Sequence, residues 1–185
     1  MGEYARLVRA FIEARGLSAP VLAGHSMGGA IALACALSAP GALGGLVLLG
    51  TGARLRVLEA ILEGILADFE ATVEGIVGYA YSPAAPPALA EEGRRQLLAC
   101  SPGVLRGDFL ACDAFDVMER LGGLSLPTLV LCGEDDLLTP PKYSRYLAAR
   151  IPGARLRLIE GAGHMLMLER TSSVGEAIAG FLREL

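Results

Sequence analysis

Hydrophobic positions along the chain change period several times, and each change marks an element. Apolar residues at Tyr4, Leu7, Val8, Phe11 and Ile12 recur at helical spacing, which predicts an amphipathic helix over 3–15. A short apolar run, Ala19-Pro20-Val21-Leu22-Ala23, then reads as a buried parallel strand over 19–24. Ala30 to Leu37 is a strong helix former and predicts a helix over 27–38. Leu46-Val47-Leu48-Leu49 is a second strand. From about 53 to 123 the pattern is helical, interrupted by Ser82-Pro83-Ala84-Ala85-Pro86-Pro87, which divides it into two helical groups. A strand at 127–132, a helix from Pro141 to Arg150, a strand at 155–159 and a last helix to Leu185 complete the chain. About four parallel strands alternating with helices define an α/β fold class. There is no internal repeat and no low-complexity tail.

Composition narrows this further. The 185 residues suffice for one real core. Apolar residues make up 53%, and mean hydropathy is +0.49, which fits a chain with surface to hide in a partner. No charge occurs between Arg15 and Arg54, so a membrane span must be considered. Pro20, Pro40-Gly41 and Gly44-Gly45 break that stretch, and no uninterrupted apolar helix of ~20 residues survives. The charged amphipathic start is not a secretory signal, so a cytoplasmic protein without membrane contact is expected. Cys35, Cys100, Cys112 and Cys132 have no metal-ligand spacing, and no metal or other cofactor is expected. A net charge of −4 without a basic aromatic patch argues against nucleic acid.

The chemistry-bearing feature is Gly24-His25-Ser26-Met27-Gly28-Gly29. It fits G-x-S-x-G, a strained turn that lifts a nucleophilic serine between a strand and a helix. Small neighbours let strand and helix approach closely. A serine hydroxyl needs a base, and the base needs an orienting acid. The chain has two histidines. His25 adjoins Ser26, but successive residues of a strand face opposite ways, so it is a packing residue beside the turn. His164, in a loop of small residues after Leu156-Arg157-Leu158-Ile159, is the candidate base. The strand at 127–132 ends in Gly133-Glu134-Asp135-Asp136, beyond a strand's carboxyl end, where catalytic groups collect in open parallel sheets. Spacing alone does not choose among its three carboxylates.

The stretches Gly24 to Gly29, Gly133 to Asp136 with Pro140, and Gly161 to His164 followed by Glu169 resemble the α/β-hydrolase superfamily. The likeness is to its esterase, lactonase and haloperoxidase-like serine hydrolases. It covers nearly the whole chain and corresponds to the family's C-terminal two-thirds. The resemblance implies a truncated α/β-hydrolase fold: a mainly parallel sheet of about four strands with flanking helices. Residues 1–52 and 124–185 would form the core, and 53–123 a helical cap insertion that covers the site and excludes water. It places the acid on Asp136, the fourth residue of a G-x-x-D turn, with Asp135 next in line. Serine rather than aspartate at position 26 implies acyl transfer on esters, thioesters, lactones or carbon–carbon bonds beside a carbonyl. Ser26 would attack, His164 would take its proton, and Asp136 would orient the ring. The Met27 N–H would supply one oxyanion donor. The family often has proline where Thr171 stands, and Ser173 with Glu176 offers a capping box for the final helix instead.

The resemblance also implies an absence. About four early strands and a helix precede the serine in the family, including a His-Gly loop that supplies a second oxyanion donor. Losing one such donor typically costs about 10²–10³ in turnover. The strand at 19–24 would then be a bare apolar edge, which invites pairing with another chain. A homo-oligomer covering that edge is expected. Met27, Leu137 and Met165 adjoin the catalytic positions and are candidate apolar pocket walls; Phe109, Phe115 and Met118 are candidates for the ceiling. The expected substrate is a small or medium, neutral, apolar acyl compound. Two readings follow: an active serine hydrolase, or a remnant binding module left inactive by an incomplete oxyanion site.

Overall fold

A computed structural model describes residues 1–185. In chain order the elements are α1 (Gly2–Ala14), β1 (Val21–His25), α2 (Met27–Ser38), β2 (Gly45–Leu49), α3 (Glu59–Ala67), α4 (Phe69–Ala80), α5 (Pro87–Leu98) and α6 (Pro102–Asp113). A 3₁₀ helix (Met118–Gly123), β3 (Thr128–Gly133), α7 (Pro141–Arg150), β4 (Arg155–Ile159), α8 (Leu166–Glu169) and α9 (Thr171–Leu182) follow. The four strands form one parallel sheet in the order β1-β2-β3-β4. The helical insertion lies between β2 and β3, and its Pro-rich break separates α3 and α4 from α5 and α6.

Alternation along the central strands builds two cores. Leu46 and Leu48 of β2 and Val130 of β3 face a cluster with Ala30 and Leu33 of α2 and Leu147 of α7. Val47, Leu49, Leu129 and Leu131 face the other side, against Leu166 of α8 and Val174 and Phe181 of α9. The sheet is therefore sandwiched between two helical layers. Both central strands are buried along their whole length.

Two sequence expectations need correction, the burial of β1 and the cap of the last helix. β1 runs from Val21 to His25 and is half-buried, with Ala23 exposed, because it is a sheet edge with one flank open. On α1 the buried residues are Ala5 and Ile12, whereas Leu7 and Phe11 of the predicted apolar stripe are 58% and 61% exposed. The capping box at Ser173 and Glu176 does not form. The chain turns at Arg170, whose carbonyl accepts from Val174 N–H at 3.0 Å, so α9 starts three residues earlier and Ser173 lies inside its first turn. Thr171 Oγ1 instead donates back to the Met167 carbonyl at 3.0 Å.

Candidate active site

Ser26 stands between the last residue of β1 and the first of α2, with φ 51° and ψ −118°. That left-handed backbone is costly for a residue with a Cβ, by roughly 1–3 kcal/mol, and persists only where neighbours over-determine it. Here they do. Ser26 N–H donates to Leu49 O at 2.9 Å, and Ser26 O accepts from Gly29 N–H at 2.9 Å and from the buried Thr51 Oγ1 at 2.7 Å. Two glycines are required by contact. A Cβ on Gly24 would lie 2.2 Å from Gly28 O, and one on Gly29 would lie 2.5 Å from Thr51 Cγ2. Gly28 differs from the expectation of obligatory smallness, since nothing in this chain lies within 4 Å of its absent Cβ. Met27 is the first residue of α2, so its N–H has no intrahelical acceptor.

His164 Nδ1 lies 2.9 Å from Asp136 Oδ2, with both side chains buried. The carboxylate can only accept, so Nδ1 carries a proton, and in the neutral ring Nε2 is the nitrogen with the lone pair. Asp136 is held by three further N–H and O–H donors. Leu138 N–H and Thr139 N–H reach Oδ1 at 3.0 and 2.8 Å, and Thr139 Oγ1 donates to Oδ2 at 2.8 Å. Burial pushes the Asp136 pKa up. The hydrogen bond and charge of His164, with the Thr139 donors, outweigh burial and hold it below the ordinary carboxylate range. Of the three carboxylates after β3, Asp136 is therefore the one paired with His164. Asp135 is exposed and accepts from Ser82 Oγ at 2.7 Å; Glu134 is exposed.

His25 does more than pack. Its Nε2 lies 2.9 Å from the backbone carbonyl of His164, and the two rings are 4.6 Å apart. A carbonyl only accepts, so Nε2 of His25 bears a proton and donates. Burial, reinforced by the neighbouring His164, pushes the His25 pKa down to about 4, and the ring stays neutral. Gly50 was not foreseen either. It follows β2, beside Ser26 in register, and has φ +48°. A Cβ there would lie 3.2 Å from Asp136 Oδ2 and 3.3 Å from His164 Nδ1. Ser26, Gly50, Asp136 and His164 thus follow the carboxyl ends of β1, β2, β3 and β4 in turn. Thr139 was the legible omission: Asp with backbone donors two and three residues on is an Asx turn.

The pocket candidates divide. Met27 and Met165 are half-buried beside Ser26 and His164, and Leu137 next to Asp136 is 61% exposed. Phe109 is half-buried on α6. Phe115 is 5% exposed and belongs to the main core cluster with Leu33 and Leu121, and Met118 packs against the same cluster.

This fold and this His–Asp pair define a hydrolase class. The α/β hydrolase family model matches residues 1–177, and the chain belongs to that family. A solved thermophilic esterase is 40% identical, with a TM-score of 0.90, over 99% of this chain and 73% of its own. The N-acyl homoserine lactone degrading enzyme Est816 is 29% identical, with a TM-score of 0.88, over 97% of this chain and 74% of its own. A 2-hydroxy-6-oxo-6-phenylhexa-2,4-dienoate hydrolase of Comamonas testosteroni is 28% identical over 97% of this chain and 68% of its own length. No helix is long and apolar enough to cross a membrane.

Proposed function

We propose that the chain is a serine hydrolase of small, neutral, apolar esters or lactones. The observation that carries this is the strained Ser26 at the N-terminus of α2, on the same end of the sheet as a histidine whose Nδ1 is occupied by Asp136. The esterase and lactone-degrading relatives support the substrate class. Ser26 Oγ attacks the carbonyl carbon while its proton passes to His164 Nε2. The Met27 N–H faces the oxyanion, aided by the positive end of α2. Collapse expels the alkoxide, which takes the proton from Nε2, and leaves an acyl-serine. Water, deprotonated by the same nitrogen, releases the acid. Met27, Met165 and Leu137 form the apolar wall of this reading, and Phe109 its cap side.

A fluorophosphonate probe should label Ser26, and short-chain p-nitrophenyl esters should be cleaved. Ser26→Ala and His164→Ala should each abolish both. Labelling that survives Ser26→Ala would reassign the nucleophile. A folded chain that neither labels nor hydrolyses would leave it a binding module.

Self-association is part of the same reading. β1 leaves one row of backbone donors and acceptors unpaired, and Leu7 and Phe11 of α1 are largely in solvent. Light scattering at low micromolar concentration should report a dimer or larger assembly; a monomer would refute it.

A further inference from the structure

Glu169 is a buried carboxylate that makes no salt bridge; its side chain is satisfied by backbone alone. Gly163 N–H lies 3.1 Å from both Oε1 and Oε2, and Ser82 N–H donates to Oε2 at 2.9 Å. These donors come from segments far apart in sequence. Gly163 immediately precedes His164. Ser82 opens the break between α4 and α5 in the cap insertion. A charged acceptor on two backbone donors forms hydrogen bonds roughly twice as strong as neutral ones.

The joint is closed from every side. Met165 N–H donates to Ala80 O at 3.2 Å, so the residues on both flanks of His164 are tied to residues 80–82. Ser82 Oγ donates to Asp135, the neighbour of Asp136, and Asp135 N–H donates to Ala162 O at 2.9 Å. No side chain fits at 163: a Cβ would lie 2.5 Å from Ser82 N and 3.0 Å from Ala80 O.

We propose that Glu169 and the Tyr81–Ser82 joint of the cap form a clamp that positions His164. The insertion is then a positioning device for the base as well as a cover. Glu169 touches no reacting atom and acts only through the backbone of 163–165. The clamp's catalytic consequence rests on the reading of His164 as the base.

Glu169→Gln in the full chain tests it. Glutamine keeps the volume and one acceptor oxygen but turns an N–H₂ toward one of the two donors. Amide hydrogen exchange at Gly163 and Ser82 should accelerate. The kcat per fluorophosphonate-titrated site should fall about 10–100-fold, the scale of a misplaced catalytic group. KM should change little, and Glu169→Ala should be worse than Glu169→Gln. A purely structural Glu169 would lower Tm and leave kcat per titrated site unchanged, which overturns the proposal. Unchanged exchange at both amides overturns it without reference to activity. A wild-type chain that Ser26 probes do not label refutes the hydrolase reading instead, and the exchange experiment still decides the clamp. Should Glu169→Gln not fold, Ser82→Ala, which removes the hydroxyl's bond to Asp135 and the one it accepts from Ala84 N–H, is read by the same two measurements. A severalfold lower kcat with faster exchange supports the clamp, and no change in either overturns it.

Discussion

His25 donates from Nε2 to the backbone carbonyl of His164 at 2.9 Å, so the residue before the serine fixes the residue proposed as its base. Two chain segments 139 residues apart are thereby held in one geometry. Burial keeps this donor neutral, and this gives stability a pH dependence. His25 is depressed to about 4 in the fold, while the unfolded chain takes up its proton near 6.5. The contribution is fully present above about pH 6.5 and is lost as pH falls toward 4, at about 1.4 kcal/mol per pH unit. Between pH 7.5 and pH 5, the wild type should lose about 2 kcal/mol more than His25→Gln in urea unfolding. Parallel losses in the two proteins would show that the fold does not depress the His25 pKa.

Asp136→Asn should lower turnover by about 10⁴-fold with little change in fold, because the amide favours the wrong His164 tautomer. Asp135→Asn should be mild, since its partner, the Ser82 hydroxyl, can donate equally to an amide oxygen. Ester hydrolysis with circular dichroism as a fold check distinguishes the two. The reverse ranking would move the acid by one position.

Gly50→Ala meets two obstacles: a backbone at φ +48° and a Cβ pressed to within 3.2–3.3 Å of Asp136 and His164. The first alone costs about 1–2 kcal/mol. Gly41→Ala is the control, with φ +86° and open space around its Cβ. Both variants should lose stability in urea, but only Gly50→Ala should lose ester hydrolysis as well. Full activity in Gly50→Ala would mean that the His–Asp pair yields to the new methyl without consequence.

Thr51→Val keeps the bulk beside Gly29 and deletes the hydroxyl that donates to Ser26 O. Ser26 O retains its bond from Gly29 N–H, so no buried acceptor is orphaned and the stability cost should be about 1 kcal/mol. Probe labelling of Ser26 should slow, because the strained turn has lost one of its restraints. Thr51→Ser should label at close to the wild-type rate. Equal rates for all three proteins would remove Thr51 from the support of the turn.

Local signals carried most of the fold. The strands are short apolar runs bounded by turns, and the G-x-S-x-G turn, the G-x-x-D turn and the His164 loop are each contiguous in sequence. What escaped reading was made by distant residues. Gly50, Thr51 and Ser82 acquire their roles only when separate strand ends and the cap converge, and no spacing announces that. The role of His25 was missed because its ring bonds the backbone of His164, 139 residues away. The Ser173–Glu176 pattern is a sound local cap that lost to the turn at Arg170, which starts the helix earlier.

Strand order equals chain order, and this sets a sequence of events. Each strand after β1 can dock on a neighbour already made, so the sheet can grow in one direction as the chain emerges. Ser26 gains its turn once β1 meets β2, whereas His164 arrives only with β4. A nascent chain therefore carries its serine before the histidine that would arm it. Any reactivity that requires both waits for β4 to join the sheet, so its onset during refolding marks completion of the sheet rather than the appearance of helices.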